Sequence, residues 1–192
     1  MSWGGFSLFC KYKKIAFKMT IEDIKNDLPA YAYDMKNNLD NIFMEGGCPG
    51  LSPKQIAVVA VATALSTPAP KLIAVALNFA KPLLSEKELD GAKTAHAIMS
   101  MTNVYYRFLH VCDNKEYKRM PPKLEMKAET TPGISKIDFH LASIGVSSIN
   151  FCKACIDYHE LAARRMGINA EGIQSVVRIA AVMNAVGQIL KF

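Results

Sequence analysis

Signals for extended structure are nearly absent from this chain. Across its 192 residues no segment sustains an alternating apolar and polar pattern, and no Asn-Gly or Asp-Gly hairpin breaks one. Cysteine is sparse, at five residues, which excludes a disulfide-dense mini-scaffold. Half of the residues are hydrophobic (51%), which excludes a disordered chain and gives enough apolar surface for a sizeable core. A basic stripe is missing too, although the formal net charge is +6. Lys11, Lys13, Lys14 and Lys18 fall in the first 18 positions with no acid among them, leaving 19 basic against 17 acidic residues in the rest. A body so close to neutral has nothing to track phosphates with, so nucleic acid is not expected as a partner.

A membrane span is not expected either. The most apolar stretch, residues 56–80, contains Lys71 and is divided by Pro68 and Pro70, which suits buried helices. Near the N-terminus the apolar residues are broken by Lys11, Lys13 and Lys14, and no small-residue cleavage site follows. A cytoplasmic location is the expectation, and the cysteines are therefore read first as redox or metal groups.

Helix signals are frequent, and they predict an all-α fold. Thr20 with Asp23 resembles a capping arrangement. Leu28-Pro29 opens a helix carrying Tyr33, Met35, Leu39 and Ile42 at the spacing of one buried face. Ser52-Pro53 starts an apolar helix to about residue 65, Thr67-Pro68 restarts one to about 80, and the Ser85/Glu88 capping box opens a long one through Tyr106. Residues 113–133, charged and bearing Pro121, Pro122 and Pro132, read as a connection. Three more helices start at Ser135, near Asn150 and at Asn169.

The last three helices echo an earlier set. A shift of 83 to 84 positions lays Leu51-Ser52 on Ile134-Ser135, Leu84-Ser85 on Ile168-Asn169, and Ala97-Ile98-Met99 on Ala181-Val182-Met183. This predicts two related helical halves, 51–110 and 134–192. The final helix is apolar around most of its circumference, with few polar residues between 173 and 190. Such a helix needs cover on several sides, either from a homo-oligomer or from a central place in one bundle, and the oligomer is the preferred expectation.

The sharpest chemical feature is Phe151-Cys152-Lys153-Ala154-Cys155-Ile156-Asp157-Tyr158-His159-Glu160. Two cysteines three apart at a helix start lie on neighbouring turns within disulfide reach, where the helix N-terminus favours thiolate. His159, four residues past Cys155 and seven past Cys152, projects from the same face. Two thiols and an imidazole on one stripe supply a nucleophile, a resolving thiol and a proton carrier. Inert core cysteines and zinc ligation with His159 and a fourth donor remain open on this pattern. A thioredoxin-type half-site lacks its preceding strand.

From Met19 onward, about 174 residues, the chain resembles the AhpD family, the alkyl hydroperoxide reductase partner proteins of the carboxymuconolactone decarboxylase-like superfamily. The resemblance runs through Ile21-Glu22 to Leu28-Pro29 with Tyr31, Ala97-Ile98-Met99 and Asn103-Val104-Tyr105-Tyr106-Arg107. It continues through Thr131-Pro132-Gly133-Ile134 and Ser147-Ser148-Ile149-Asn150 into the CxxC and His159-Glu160. It makes residues 1–18 an extension, expected to be poorly ordered, and 19–192 the AhpD-like domain. It implies an all-helical fold, usually a homotrimer, and lipoyl-dependent hydroperoxide or disulfide reduction in antioxidant defence. By that resemblance Cys155 is the peroxidatic thiol passing through a sulfenic acid, Cys152 the resolving thiol, and His159 the proton relay. No bound cofactor is implied. The reductant is a dihydrolipoyl group, and the partners are a hydroperoxide, a lipoylated protein and an AhpC-like peroxiredoxin, with passage of electrons to that peroxiredoxin alone as a further possibility.

The chain departs from the family at His140, which occupies the place of a glutamate twelve positions before the first cysteine. An imidazole accepts a proton near neutrality, but a neutral ring cannot stabilise a cation at His159 as a carboxylate would. Retained redox chemistry with an altered pH profile is therefore expected. The substitution also raises a Cys2His2 zinc set of His140, Cys152, Cys155 and His159, with Asp138 not assumed to replace the glutamate. At Ala154 some family members carry a histidine. Cys10, Cys48 and Cys112 are read as incidental, His96 and His110 as structural, Tyr158 as bordering the site or packing, and Glu160 as pairing with Arg164.

Overall fold

A computed structural model describes residues 19–191, and the expectation for residues 1–18, with Cys10, lies outside them. The described residues form eight α-helices and no strand: α1 (Ile21–Asp27), α2 (Tyr33–Phe43), α3 (Pro53–Leu65), α4 (Pro70–Ala80), α5 (Glu86–Val111), α6 (Lys136–Ile149), α7 (Lys153–Arg165) and α8 (Ala170–Ile189). No helix among them is long and apolar enough to cross a membrane.

Side-chain caps set most of the starts. Thr20, Ser52 and Ser85 close full capping boxes with Asp23, Gln55 and Glu88, while Ser135 and Asn169 each accept one backbone N–H. Each such cap contributes about 1 kcal/mol. Three expectations need correction. Helix α4 begins at Pro70 rather than at Pro68, because Ala69 still has extended backbone. Helix α5 continues five residues past Tyr106, to Val111. On α2 the buried residues are Leu39 and Ile42, whereas Tyr33 is 66% exposed, since Ala30–Ala32 forms a 3-10 turn that rotates the start of the helix.

The centre of the molecule is α3 against α6. Residues 57–64 of α3 and 138–147 of α6 are buried without interruption, which explains the near-uniform apolarity of the α3 stretch, whereas the α6 stretch also buries Asp138, His140, Ser143 and Ser147. Around this pair stand α4, α5 and α8 on α3, and α5, α7 and α8 on α6. Helix α8 also meets α2 and α4. Much of its apolar circumference is thus covered within one chain, while Val177 remains 41% exposed.

Residues 112–135 return along the outside of α5 through two 3-10 turns, Tyr117–Arg119 and Lys127–Glu129, the second packed on α5 itself. The segment is drawn tight at Gly91, where a Cβ would lie 2.7 Å from the Pro132 carbonyl oxygen and 2.9 Å from the Ile134 amide nitrogen. Gly133, at φ +86°, makes the matching turn. Alanine at position 91 would improve intrinsic helix stability by about 1 kcal/mol, but backbone overlap of this kind costs about 1–3 kcal/mol. We expect Gly91→Ala to be destabilising on balance, lowering the melting temperature by about 2–4 °C. An unchanged or higher melting temperature would show that the segment yields freely.

Candidate active site

The turn between α6 and α7 places the cysteines. Helix α6 ends with Asn150 N–H on Val146 O at 3.1 Å, and the chain reverses so that Cys152 N–H reaches Ser147 O at 3.1 Å. Phe151 sits between them at φ +54°, a left-handed conformation costing a side-chain-bearing residue about 1 kcal/mol. Its ring is 82% exposed, so little packing offsets that cost. From α5, Arg107 Nη1 donates to Asn150 O at 2.9 Å and holds the turn.

The result is Cys152 as N-cap of α7 and Cys155 in its first turn, bridged by a disulfide with Cα atoms 5.3 Å apart. Cys152 is completely buried, while Cys155 is 6% exposed. One turn further, His159 meets His140 of α6, Nδ1 to Nδ1, at 2.8 Å. In this contact one ring donates and the other accepts, so the rings must be of opposite tautomer when neutral. Tyr158 and Phe139 pack edge-on around the pair. Burial pushes both imidazoles below their ordinary value. His159, 3% exposed, falls to about 3 with a smaller contribution from His140, and His140, 8% exposed, is lowered further by Lys136. Both rings are therefore neutral proton carriers near pH 7.

A cavity of about 320 Å³ opens onto this stripe, bordered by Cys155 and His159 and walled by Met99, Thr102, Tyr106 and Tyr158. Cys152 does not border it. A neighbouring cavity of about 300 Å³ is bordered by His140, Phe139 and Lys136. Met126, Glu129 and Tyr158 border both.

Cys152, Cys155 and His159, singled out by spacing, and His140, singled out by the family resemblance, thus converge as a disulfide next to a histidine pair. The sulfurs are bonded to each other, the rings face each other through Nδ1, and no group of three or more His, Cys, Asp or Glu among the described residues is arranged to hold a metal ion. Ala154 borders the first cavity and adds no acid. His96 lies within hydrogen-bonding distance of Ser66 and Ser100, Cys48 donates to Ile42 O, and Glu160 lies 3.9 Å from Arg164. Cys112 caps the end of α5 and His110 lies in its last turn. Asp138 is buried at the start of α6 near Lys54. Glu129 was missed in the sequence because no helical spacing links a residue of the connection to the CxxC.

An all-helical protein with a CxxC disulfide at a helix N-terminus, a buried histidine pair behind it and one sulfur open to a cavity is a helical dithiol–disulfide protein. Residues 116–192 match the carboxymuconolactone decarboxylase family. An alkyl hydroperoxide reductase AhpD of Maricaulis maris is 42% identical over 172 residues, covering 90% of this chain and 98% of that protein. The alkyl hydroperoxide reductases AhpD of Coxiella burnetii (41% over 169 residues, 88% and 96% coverage) and of a Bradyrhizobium species (42% over 168 residues, 88% and 91%) are similar. The chain belongs to the AhpD family.

Proposed function

We propose that this protein is a hydroperoxide-reducing oxidoreductase that cycles Cys155 and Cys152 between dithiol and disulfide, with a dihydrolipoyl group as reductant. The observation that carries the reading is the exposure of Cys155, and not Cys152, to a cavity that His159 also borders. In the reduced protein the Cys155 thiol passes its proton to His159, and the thiolate attacks the peroxide oxygen distal to the alkyl group. The O–O bond breaks, Cys155 becomes a sulfenic acid, and the alkoxide takes the proton back to leave as alcohol. Cys152 then displaces water from the sulfenic acid and forms the disulfide before further oxidation. For reduction, an incoming thiolate attacks the sulfur it can reach, Cys155. Cys152 leaves as a thiolate at the N-cap of α7, where the helix's positive end favours it. The second dihydrolipoyl thiol completes the exchange.

The apolar walls of the cavity support an alkyl hydroperoxide and the hydrocarbon arm of a lipoyl group as occupants. The same dithiol serves electron transfer to an AhpC-like peroxiredoxin. Assembly as a homotrimer or higher homo-oligomer belongs to this proposal, supported by exposed Val104, Phe108 and Val111 along α5. So do the two related halves, supported by the matching caps Ser52 with Ser135 and Ser85 with Asn169.

The test is intact and peptide mass on reduced protein given one equivalent of an alkyl hydroperoxide. We expect loss of both thiol hydrogens on the peptide bearing Cys152 and Cys155, and their return with dihydrolipoamide. Thiols that survive peroxide unchanged would overturn the reading.

A further inference from the structure

Once it takes up the proton of the Cys155 thiol, the histidine pair needs a countercharge, and its own helices supply none. Asp157 of α7 is engaged with Lys153, and Glu160 is beside Arg164. Glu88 of α5 is bound to Lys54, which Asp138 of α6 also influences. The charged group that α6 does bring to the second cavity is Lys136, of the wrong sign. Glu129 is the sole carboxylate bordering either cavity. It borders both, the one with Cys155 and His159 and the one with His140, and it arrives on the 3-10 turn that packs on α5.

The ring chemistry makes this position useful. Each Nδ1 is taken up by the other ring, which leaves Nε2 as the remaining proton-exchanging atom on each. His159 borders the cavity of Cys155, and His140 borders the other. A proton taken from the thiol by His159 can pass across the Nδ1–Nδ1 contact to His140. It then emerges at the second cavity, where a carboxylate is needed to stabilise or receive it.

We propose that Glu129 is that carboxylate, a positioning residue that completes the relay from Cys155 through His159 and His140 and stabilises the thiolate of the reduced protein. This rests on the dithiol reading above. Burial raises the Glu129 carboxyl above the usual range while it lowers both imidazoles. Each group is thus a poor charge alone and a better one when both charges form together. Tyr158, Tyr106 and Lys136 complete the titratable groups around the two cavities.

The test measures the apparent pKa of the Cys155 thiol from the pH dependence of its alkylation by iodoacetamide, in full-length reduced protein carrying Cys152→Ser. Glu129→Gln is expected to raise that pKa by about one pH unit and to slow reaction with hydroperoxide near neutral pH by about tenfold. Glu129→Asp should recover most of both, and Glu125→Gln, at an exposed acid paired with Lys127, should change neither. An unaltered alkylation profile in Glu129→Gln would overturn the proposal. A rate loss equal at every pH would overturn it as well, since it would mark a packing role only. Alkylation requires no peroxide, so failure of the parent protein to consume hydroperoxide would count against the peroxidase reading alone.

Discussion

Replacing Cys155 by serine is expected to abolish peroxide-driven oxidation of dihydrolipoamide, a loss of at least about 10³-fold. Serine fits the site but keeps its proton near pH 7, so no anion faces the peroxide. Cys152→Ser should behave differently. Its Cys155 still reacts once, but the sulfenic acid has no neighbour to condense with and goes on to sulfinic acid with excess peroxide. Intact mass therefore separates the two variants: the first stays unmodified, while the second gains one oxygen and then another. Neither result should be confused with unfolding. The bridge links residues only three apart, and closing so short a loop restricts the unfolded chain by about 2 kcal/mol. Full turnover in Cys155→Ser, or the first oxygen appearing on Cys152, would reverse the assignment of the two sulfurs.

Which parts of this arrangement could be read from the sequence follows from the range of the interactions. Ser52-Pro53, Ser85 with Glu88, Ser135 and Asn169 announce helices because a cap is satisfied within three residues, and the structure has a helix after each. The CxxC and His159 share a helix, so spacing alone puts them on one stripe. Features that depend on the rest of the chain were harder to see. The start of α4 shifted because two prolines compete for the same role, and backbone conformation at Ala69 decides between them. Tyr33 has the right spacing for a buried face, but the preceding 3-10 turn sets the phase of α2. The apolar circumference of α8 reads as a surface awaiting a partner, and the sequence cannot show that α2, α3, α4 and α6 take up much of it while Val177 stays exposed. His140 was legible only through the family resemblance, as a departure from a glutamate, and its Nδ1 contact with His159 is tertiary. Glu129 lies on a segment whose composition speaks of a connection, and only the packing of that segment on α5 carries it to the cavities.

Acid should affect this protein through the histidine pair, and the sign follows from where the proton goes. An unfolded histidine titrates near 6.5, whereas buried His159 stays neutral down to about 3. Between those values the unfolded chain binds a proton that the folded chain refuses, so stability falls as the pH is lowered through this window. For one such group the loss amounts to about 2 kcal/mol at pH 5 relative to neutral. His140 is displaced in the same direction and adds to it. Denaturant unfolding at about pH 7.5 and about pH 5 should therefore differ by at least about 2 kcal/mol, a difference that His159→Gln should shrink. The same substitution should slow the reaction with hydroperoxide by about a hundredfold, because the Cys155 proton loses its acceptor. An equal pH effect on the stability of both proteins would place the acid sensitivity elsewhere. Undiminished reactivity in His159→Gln would mean that the thiolate at the start of α7 is maintained by the helix terminus alone.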